Sequence, residues 1–278
     1  MTLADTLDVQ TIDLTPRIGT EIRTDIETLL SGAIAPRIRA LLEERGVIAF
    51  RALNMTDEEQ IGFTKTLGTF AHEEGEGEGV YKITMDSREN PMAEYLKGAF
   101  YWHIDGTSSK VPILASIMSS RRLAPVGGET EFCNTYAAYD DLPEAEKKAL
   151  DNVKVVHAVS ASQLYVTPEP SYAKWKMWQS RGSNTLPLVW KHRSGRKSLV
   201  LGSTAQYVVG MNPNDSMDLL VRLRDWATQP QFVYRHEWTL GDLVIWDNTG
   251  TMHRALAYDF DSGRMMHRTK LEGEEAFG

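Results

Sequence analysis

One cysteine, Cys133, stands in the whole 278-residue chain. No intrachain disulfide can form, so the fold has to be held by its core. A lone thiol of this kind reads as a plain buried side chain on a strand, and sparse cysteine fits a reducing cytoplasm. No apolar stretch approaches the roughly 18 residues that a membrane-spanning helix needs. The N-terminal Met-Thr-Leu-Ala-Asp-Thr-Leu-Asp lacks a basic segment followed by an apolar one, so no signal peptide is expected. Basic residues are outnumbered. Thirty Lys and Arg against 38 Asp and Glu leave a net charge of −8, which argues against a nucleic-acid partner. Neither an internal repeat nor a linker is visible, and residues 1–278 are expected to form a single domain.

What is present is enough for a substantial core. Hydrophobic residues make up 42% and charged residues 24% of the chain, ordinary for a globular protein. Ile26, Leu29, Leu30, Ile34, Ile38 and Leu41 recur at helical spacing, which predicts one helix over 24–45 with Gly46 as its stop. Val47–Phe50 reads as a short buried strand. Thr56 and Glu59 form a capping box that opens a helix to about Leu67. Residues 71–98 read as a long polar, glycine-rich excursion, and 160–186 as a second irregular insert carrying Tyr165, Tyr172, Trp175, Met177 and Trp178. Long segments of this kind are often lids or binding loops. Asp141, with Glu144, is expected to cap a helix to Leu150, and Asn214 and Asp215 to start one to about Trp226. Strands are expected from Tyr101, over 113–118 and 153–159, and near 232–238, 243–247 and 264–270. The mixture predicts an α+β protein with a mostly β core flanked by helices.

The chemistry concentrates in Tyr-Trp-His-Ile-Asp-Gly-Thr, residues 101–107. On an extended strand, His103 and Asp105 share one face and Ile104 takes the other. Two ligands so placed can grip one side of a metal ion. A histidine from a distant strand, His253 in Asn-Thr-Gly-Thr-Met-His, completes a 2-His-1-carboxylate set with open positions, the arrangement of non-heme Fe(II) oxygenases. About half the chain separates Asp105 from His253, so only a closed sheet could join them. His72, followed by Glu73 and Glu74, offers a rival pair. It sits at the edge of a Glu/Gly run that reads as a solvated loop, a poorer platform for ligands than a strand. Arg264 and Arg268 lie on one strand face by even spacing, with His267 on the other.

Five stretches in order resemble the taurine dioxygenase/2,4-D dioxygenase (TauD/TfdA) family: Trp-His-Ile-Asp-Gly-Thr at 102–107, Pro-Val-Gly-Gly-Glu-Thr-Glu-Phe at 125–132, residues 187–199, residues 241–255, and Gly263-Arg264 with Arg268. The resemblance implies a double-stranded β-helix, a distorted jelly roll. It implies an Fe(II)- and 2-oxoglutarate-dependent dioxygenase that uses O2 to hydroxylate a small organic substrate while 2-oxoglutarate becomes succinate and CO2. It makes His103, Asp105 and His253 the metal ligands. It assigns Arg264 and Thr130 to the far carboxylate of 2-oxoglutarate, and Arg268 to an anionic substrate group or to support of the cosubstrate. A homo-oligomer, dimer or tetramer, is implied as well. The chain departs from the taurine enzymes at Ala99, where they carry a substrate-binding asparagine, so taurine is not the expected substrate. Asp105 fills the position a halide would need, which argues against halogenation. Two other readings are a Zn-dependent hydrolase on the same triad, which leaves Arg264 and Thr130 without a role, and a non-catalytic β-barrel binding protein, which leaves the triad without one.

Overall fold

The computed structural model describes residues 9–72 and 79–278; the acidic run 73–78 lies outside them. The chain opens with strands β1 (Gln10–Asp13) and β2 (Thr20–Arg23), then helices α1 (Ile26–Leu30) and α2 (Ala35–Arg45). The single helix expected over 24–45 is therefore two. Gly32 adopts a left-handed φ of 72°, and Pro36 stands in the first turn of α2, so one continuous backbone ladder cannot form. Gly46 ends α2 as expected, at φ 72°. β3 (Val47–Phe50) and α3 (Asp57–Leu67) follow, and both sides of the Thr56/Glu59 capping box are made.

The next stretch holds β4 (Tyr81–Ile83) and α4 (Ala93–Leu96), then β5 (Ala115–Arg122) and β6 (Thr130–Asn134). No strand forms at Tyr101. Residues 101–105 make only an isolated bridge, His103 to His253, and Asp105 lies in a turn. α5 (Thr135–Asp140) and α6 (Glu144–Leu150) come next. Asp141 does not cap α6. It ends α5, and its carboxylate is taken by both terminal nitrogens of Arg17, at 2.9 and 3.0 Å.

β7 (Lys154–Ala158) leads into the insert expected to be irregular, which is instead α7 (Val159–Val166), α8 (Tyr172–Gln179) and β8 (Ser183–Pro187). α7 buries Ser160, Ser162 and Gln163 rather than an apolar stripe, so helical periodicity is hidden there. Ser171 caps α8 by accepting from the Lys174 amide. The chain closes with β9 (Val189–Lys191), β10 (Lys197–Leu199), β11 (Ala205–Val208), α9 (Pro213–Ala227), β12 (Val233–His236), β13 (Leu243–Asp247), β14 (Thr251–Ala255) and β15 (Met265–Leu271). The cap of α9 is Asn212, two residues before the expected start at Asn214.

Two sheets face each other. The larger runs β1-β2-β3-β13-β5-β15-β4, and the smaller runs β12-β6-β14. Between them Phe132 of the small sheet meets the rings of Trp246 on the large one and of Tyr234 and His253 on its own, with Met118, Val244 and Met266 completing the layer. The other face of the large sheet buries Ile48, Phe50, Ile117 and Ile245 against α1–α3. A third sheet, β11-β7-β8, packs with α5 and α9 around Trp190 and Leu223. Cys133 is fully buried there on a strand, as expected, and burial pushes its thiol up to about 12. Among the described residues no helix is long and apolar enough to cross a membrane.

Buried titratable groups set the acid response. Burial pushes His157 and His192 down to about 4 and His253 to about 3, from an ordinary 6.5. Burial raises Asp247 to about 6 from 3.8. Between pH 6.5 and 4, unfolding takes up protons at these three histidines, with His236, which burial also lowers, adding to the uptake, and releases one at Asp247. Stability is therefore fully present above pH 6.5 and declines as pH falls. Urea unfolding of the metal-free protein should lose about 2–3 kcal/mol per pH unit in the steepest part of that window, at about 1.4 kcal/mol per net proton. A protein that grew more stable on acidification from pH 6.5 to 5 would contradict these assignments.

Candidate metal centre

His103, Asp105 and His253 converge. Each offers a ligand atom within 4.8 Å of the others. His103 Nε2 lies 3.7 Å from Asp105 Oδ1, and His253 Nε2 lies 3.7 Å from Asp105 Oδ2. The same-face geometry expected from a strand is reached another way. The His103 and His253 backbones exchange both hydrogen bonds, at 3.0 and 2.9 Å, which joins the segment before β5 to β14. Arg254, next to His253, lays its guanidinium over Trp102 at 4.7 Å and is anchored by Glu131. Ile104 points away into the third sheet's core.

Protonation suits metal binding. His103 Nδ1 sits 2.8 Å from the Tyr101 carbonyl. That oxygen can only accept, so the proton belongs on Nδ1 and Nε2 keeps its lone pair for a metal. Burial first, and the nearby His103 second, hold His253 neutral. At Asp105 burial acts to raise the carboxyl, but its polar surroundings, with the Arg268 guanidinium as the permanent charge and the Ser116 hydroxyl as a donor, outweigh it and hold it well below the usual range. Two imidazoles and a carboxylate fit a divalent first-row metal with positions left open. His72 is not part of this cluster; its ring packs against Phe70.

The remaining site residues enter from β6 and β15. Met266 faces the layer between the sheets, so Arg268 shares that face by alternation; Arg264 stands just before β15, on the far side of a register shift at Met265 and Met266, so alternation does not place it. His267 points to α3 and meets Asp57 at 2.7 Å. Arg264 is 4% exposed. Its Nη2 donates to the Gly128 carbonyl at 2.9 Å, its guanidinium lies over Tyr258, and burial lowers its pKa. Among the described residues no carboxylate comes within ion-pair distance of it. Thr130 faces the same space as Phe132, and its Oγ1 accepts from Trp238 Nε1 at 3.0 Å, leaving its own proton to donate elsewhere. Arg268 Nη1 lies 3.6 Å from Asp105 Oδ2, over the Tyr81 ring. Arg181 and Arg268 both act electrostatically on the Tyr95 hydroxyl, whose pKa burial raises. Tyr81 of the first insert thus stands beside Arg268, next to the His-Asp-His cluster.

Several participants carry no sequence signal. At Gly202, with φ +109°, a Cβ would lie 2.9 Å from His103 Cα. Gly128 lies in the left-handed region, and a Cβ there would fall 2.8 Å from Arg264 Nε. Ser116 Oγ donates to Asp105 Oδ2 at 3.2 Å. Of these, only the Gly-Gly pair at 127–128 stands out on inspection.

The comparisons agree with this geometry. The family model described as "Taurine catabolism dioxygenase TauD, TfdA family" matches residues 10–270. An alpha-ketoglutarate-dependent 2,4-dichlorophenoxyacetate dioxygenase of Burkholderia sp. (strain RASC) is 31% identical over 265 residues, covering 88% of this chain and 89% of the relative. An alpha-ketoglutarate-dependent sulfate ester dioxygenase of Pseudomonas putida is 31% identical, covering 94% and 89%. The crystal structure of AAD-2 with Mn(II) and N-oxalylglycine superposes with a TM-score of 0.83 at 29% identity, covering 97% of this chain and 99% of that one.

Replacing His103, Asp105 or His253 by Ala should each abolish iron-dependent turnover and leave the circular dichroism spectrum unchanged, while His72→Ala binds Fe(II) as before. Retention of most turnover by any one of the three would remove that residue from the ligand set. Gly202→Ala should push His103 aside and weaken Fe(II) binding by about 10–100-fold, the range seen when ligand support is lost. Wild-type affinity in that variant would show that Gly202 does not support His103.

Proposed function

This chain belongs to the TauD/TfdA family of Fe(II)- and 2-oxoglutarate-dependent dioxygenases, and from that premise we propose that His103, Asp105 and His253 hold the iron, that Arg264 and Thr130 hold 2-oxoglutarate, and that the substrate is a small organic anion. Iron, when bound with 2-oxoglutarate and O2, supplies the oxidising power that turns the cosubstrate into succinate and CO2 and hydroxylates a carbon. The chain's residues do the holding.

The observation that carries this reading is the buried Arg264. A guanidinium taken out of water needs a counter-charge, and among the described residues none is supplied. A carboxylate from the cosubstrate would meet the planar fork in two places. Thr130, with its acceptor side used by Trp238, can donate to the same group. The glycine at 128 leaves room for the arginine's approach. Phe132, Trp246 and Met266 line the layer behind and keep it dry, which strengthens the charge contact.

For the substrate, Arg268 supplies a cation beside the metal ligands, and Tyr81 and Tyr95 supply aromatic walls. The named substrates of the relatives, phenoxyacetate and sulfate-ester types, are anions with an apolar body, which supports the same class here. The segments 71–98 and 160–186, which bring Tyr81, Tyr95 and Arg181 to the site, act as lids in this reading. We further propose that the two facing sheets close as a double-stranded β-helix, that residues 1–278 form one domain, and that the protein is a cytoplasmic homo-oligomer.

Succinate formation from 2-oxoglutarate under O2, dependent on added Fe(II), tests the reaction. Arg264→Ala should raise the apparent cosubstrate constant by an amount equal to about 2–5 kcal/mol, the typical result of stripping one side of a buried charge pair. Arg264→Lys should recover only part, because an ammonium lacks the bidentate geometry. An unchanged constant in the alanine variant would remove Arg264 from the site. Arg268 also lies near Asp105, so the informative quantity is a ratio. Arg268→Ala should lose more activity toward carboxylic acids than toward their neutral esters or amides, whereas equal loss would refute an anion-binding role.

A further inference from the structure

The small sheet has a second face. On β6, Thr130 and Phe132 turn toward the layer between the sheets, so Glu131 turns the other way. Its direct cross-strand partners are Arg235 on β12 and Arg254 on β14, and both guanidiniums close on its carboxylate. Glu131 is 6% exposed and satisfied, but two cations stand against its one charge. Arg224, near the end of α9, joins them, and the three arginines line a cleft of about 560 Å³. That volume lies within the ~300–1,000 Å³ of small-molecule sites. Asp225 is the other carboxylate of the lining, and its side chain is mostly in solvent. The cleft is therefore net positive in a chain whose net charge is −8.

The three guanidiniums are engaged alike. Arg235 directs Nε and Nη2 to Glu131 Oε1 at 3.0 and 2.6 Å. Arg254 directs Nε and Nη2 to Glu131 Oε2 at 2.8 and 2.7 Å. Arg224 directs Nε and Nη2 to Asp225 Oδ1 at 3.2 and 2.9 Å. Among the described residues, no acceptor is paired with Nη1 of any of the three. A guanidinium carries donors around its whole plane, so each can take a second acid at the remaining end. Apolar surface accompanies these donors. The rings of Tyr101 and Tyr165 pack together at 5.0 Å, and Pro230 and Val233 add to the lining. The buried Ser203 hydroxyl, also in the lining, makes no hydrogen bond. These parts match a ligand with a planar acid at one end and a ring at the other. We propose that the cleft is a second binding site, separate from the metal centre, for a small aromatic carboxylate. Its acid takes the open guanidinium ends and its ring lies against Tyr101 and Tyr165. Trp102 and Arg254, which also line the cleft, flank His103 and His253 in the chain, so the site lies behind the metal centre and not within it.

The probe is para-bromobenzoate. Its bromine can be located by anomalous scattering in a soaked crystal, and its binding can be followed by titration calorimetry without turnover or a known substrate. The bromine should appear in the cleft. In solution the titration is made on Arg268→Ala, so that the cation beside the metal ligands does not compete. One saturable site should remain there. Adding Arg224→Gln or Arg235→Gln should weaken it about 10-fold or more, the loss expected of one hydrogen bond to a charged group. Neutral para-bromobenzyl alcohol should not bind. If Arg235→Gln lowers the thermal midpoint by breaking the pair with Glu131, Arg224→Gln decides, because its partner Asp225 is exposed. Bromine found only between the two sheets overturns the proposal. So does a crystal signal without saturable binding in solution, equal binding of the alcohol, or unchanged affinity in the glutamine variants. Sulfate that displaces the probe as well as benzoate does also overturns it, and leaves only a charged surface. A concentration-dependent dimer that Arg235→Gln dissociates overturns it in favour of an interface between copies of the chain.

Discussion

The two hydrogen bonds between the His103 and His253 backbones are the joint on which the site depends. They close a loop spanning about half the chain, an ordering whose entropic cost the surrounding contacts must offset. The stacking of Arg254 on Trp102, the amide of Ser203 on the Trp102 carbonyl at 2.7 Å and the bare backbone of Gly202 against His103 all act on this joint from the outside. From the inside, the rings of Trp246 and Phe132 pack on His253. A segment with no ladder of its own is thereby held as firmly as a strand.

Charge burial follows a consistent division. On the outer face of the small sheet, Glu131 is matched by Arg235 and Arg254, and at one end His236 and Arg51 match Asp242. These groups are satisfied within the protein. In the layer between the sheets, Asp105 lies near Arg268 and the two histidines, and among the described residues no carboxylate comes within ion-pair distance of Arg264. Buried charge left open on one side is costly unless a ligand completes it, and the proposed cosubstrate carboxylate would complete Arg264.

Elements built by local chemistry were legible in the sequence. The capping box at Thr56 and Glu59, the stop at Gly46 and the buried strands at 47–50 and 243–247 stand where their residues place them. Elements shaped by tertiary context were not. The apolar spacing over 24–45 runs through Gly32, whose left-handed turn the pattern does not reveal. The insert at 160–186 is helical although α7 buries serines and a glutamine. His103 and Asp105 point together without the strand that alternation invoked. For the site, the metal ligands and the two arginines could be named from motif and spacing. Ser116, Trp238 and Gly202 could not, because their roles arise from cross-strand register and from the space a missing side chain leaves, and neither is written in one segment.

The central claim is that the triad and Arg264 serve one bound pair, metal and cosubstrate. A crystal structure of the protein soaked with Mn(II) and N-oxalylglycine tests it most directly. The account predicts one metal ion ligated by His103 Nε2, His253 Nε2 and one oxygen of Asp105, with the inhibitor chelating it and its far carboxylate on the Arg264 guanidinium and the Thr130 hydroxyl. A metal held elsewhere, or a far carboxylate that leaves Arg264 without a partner, would contradict it.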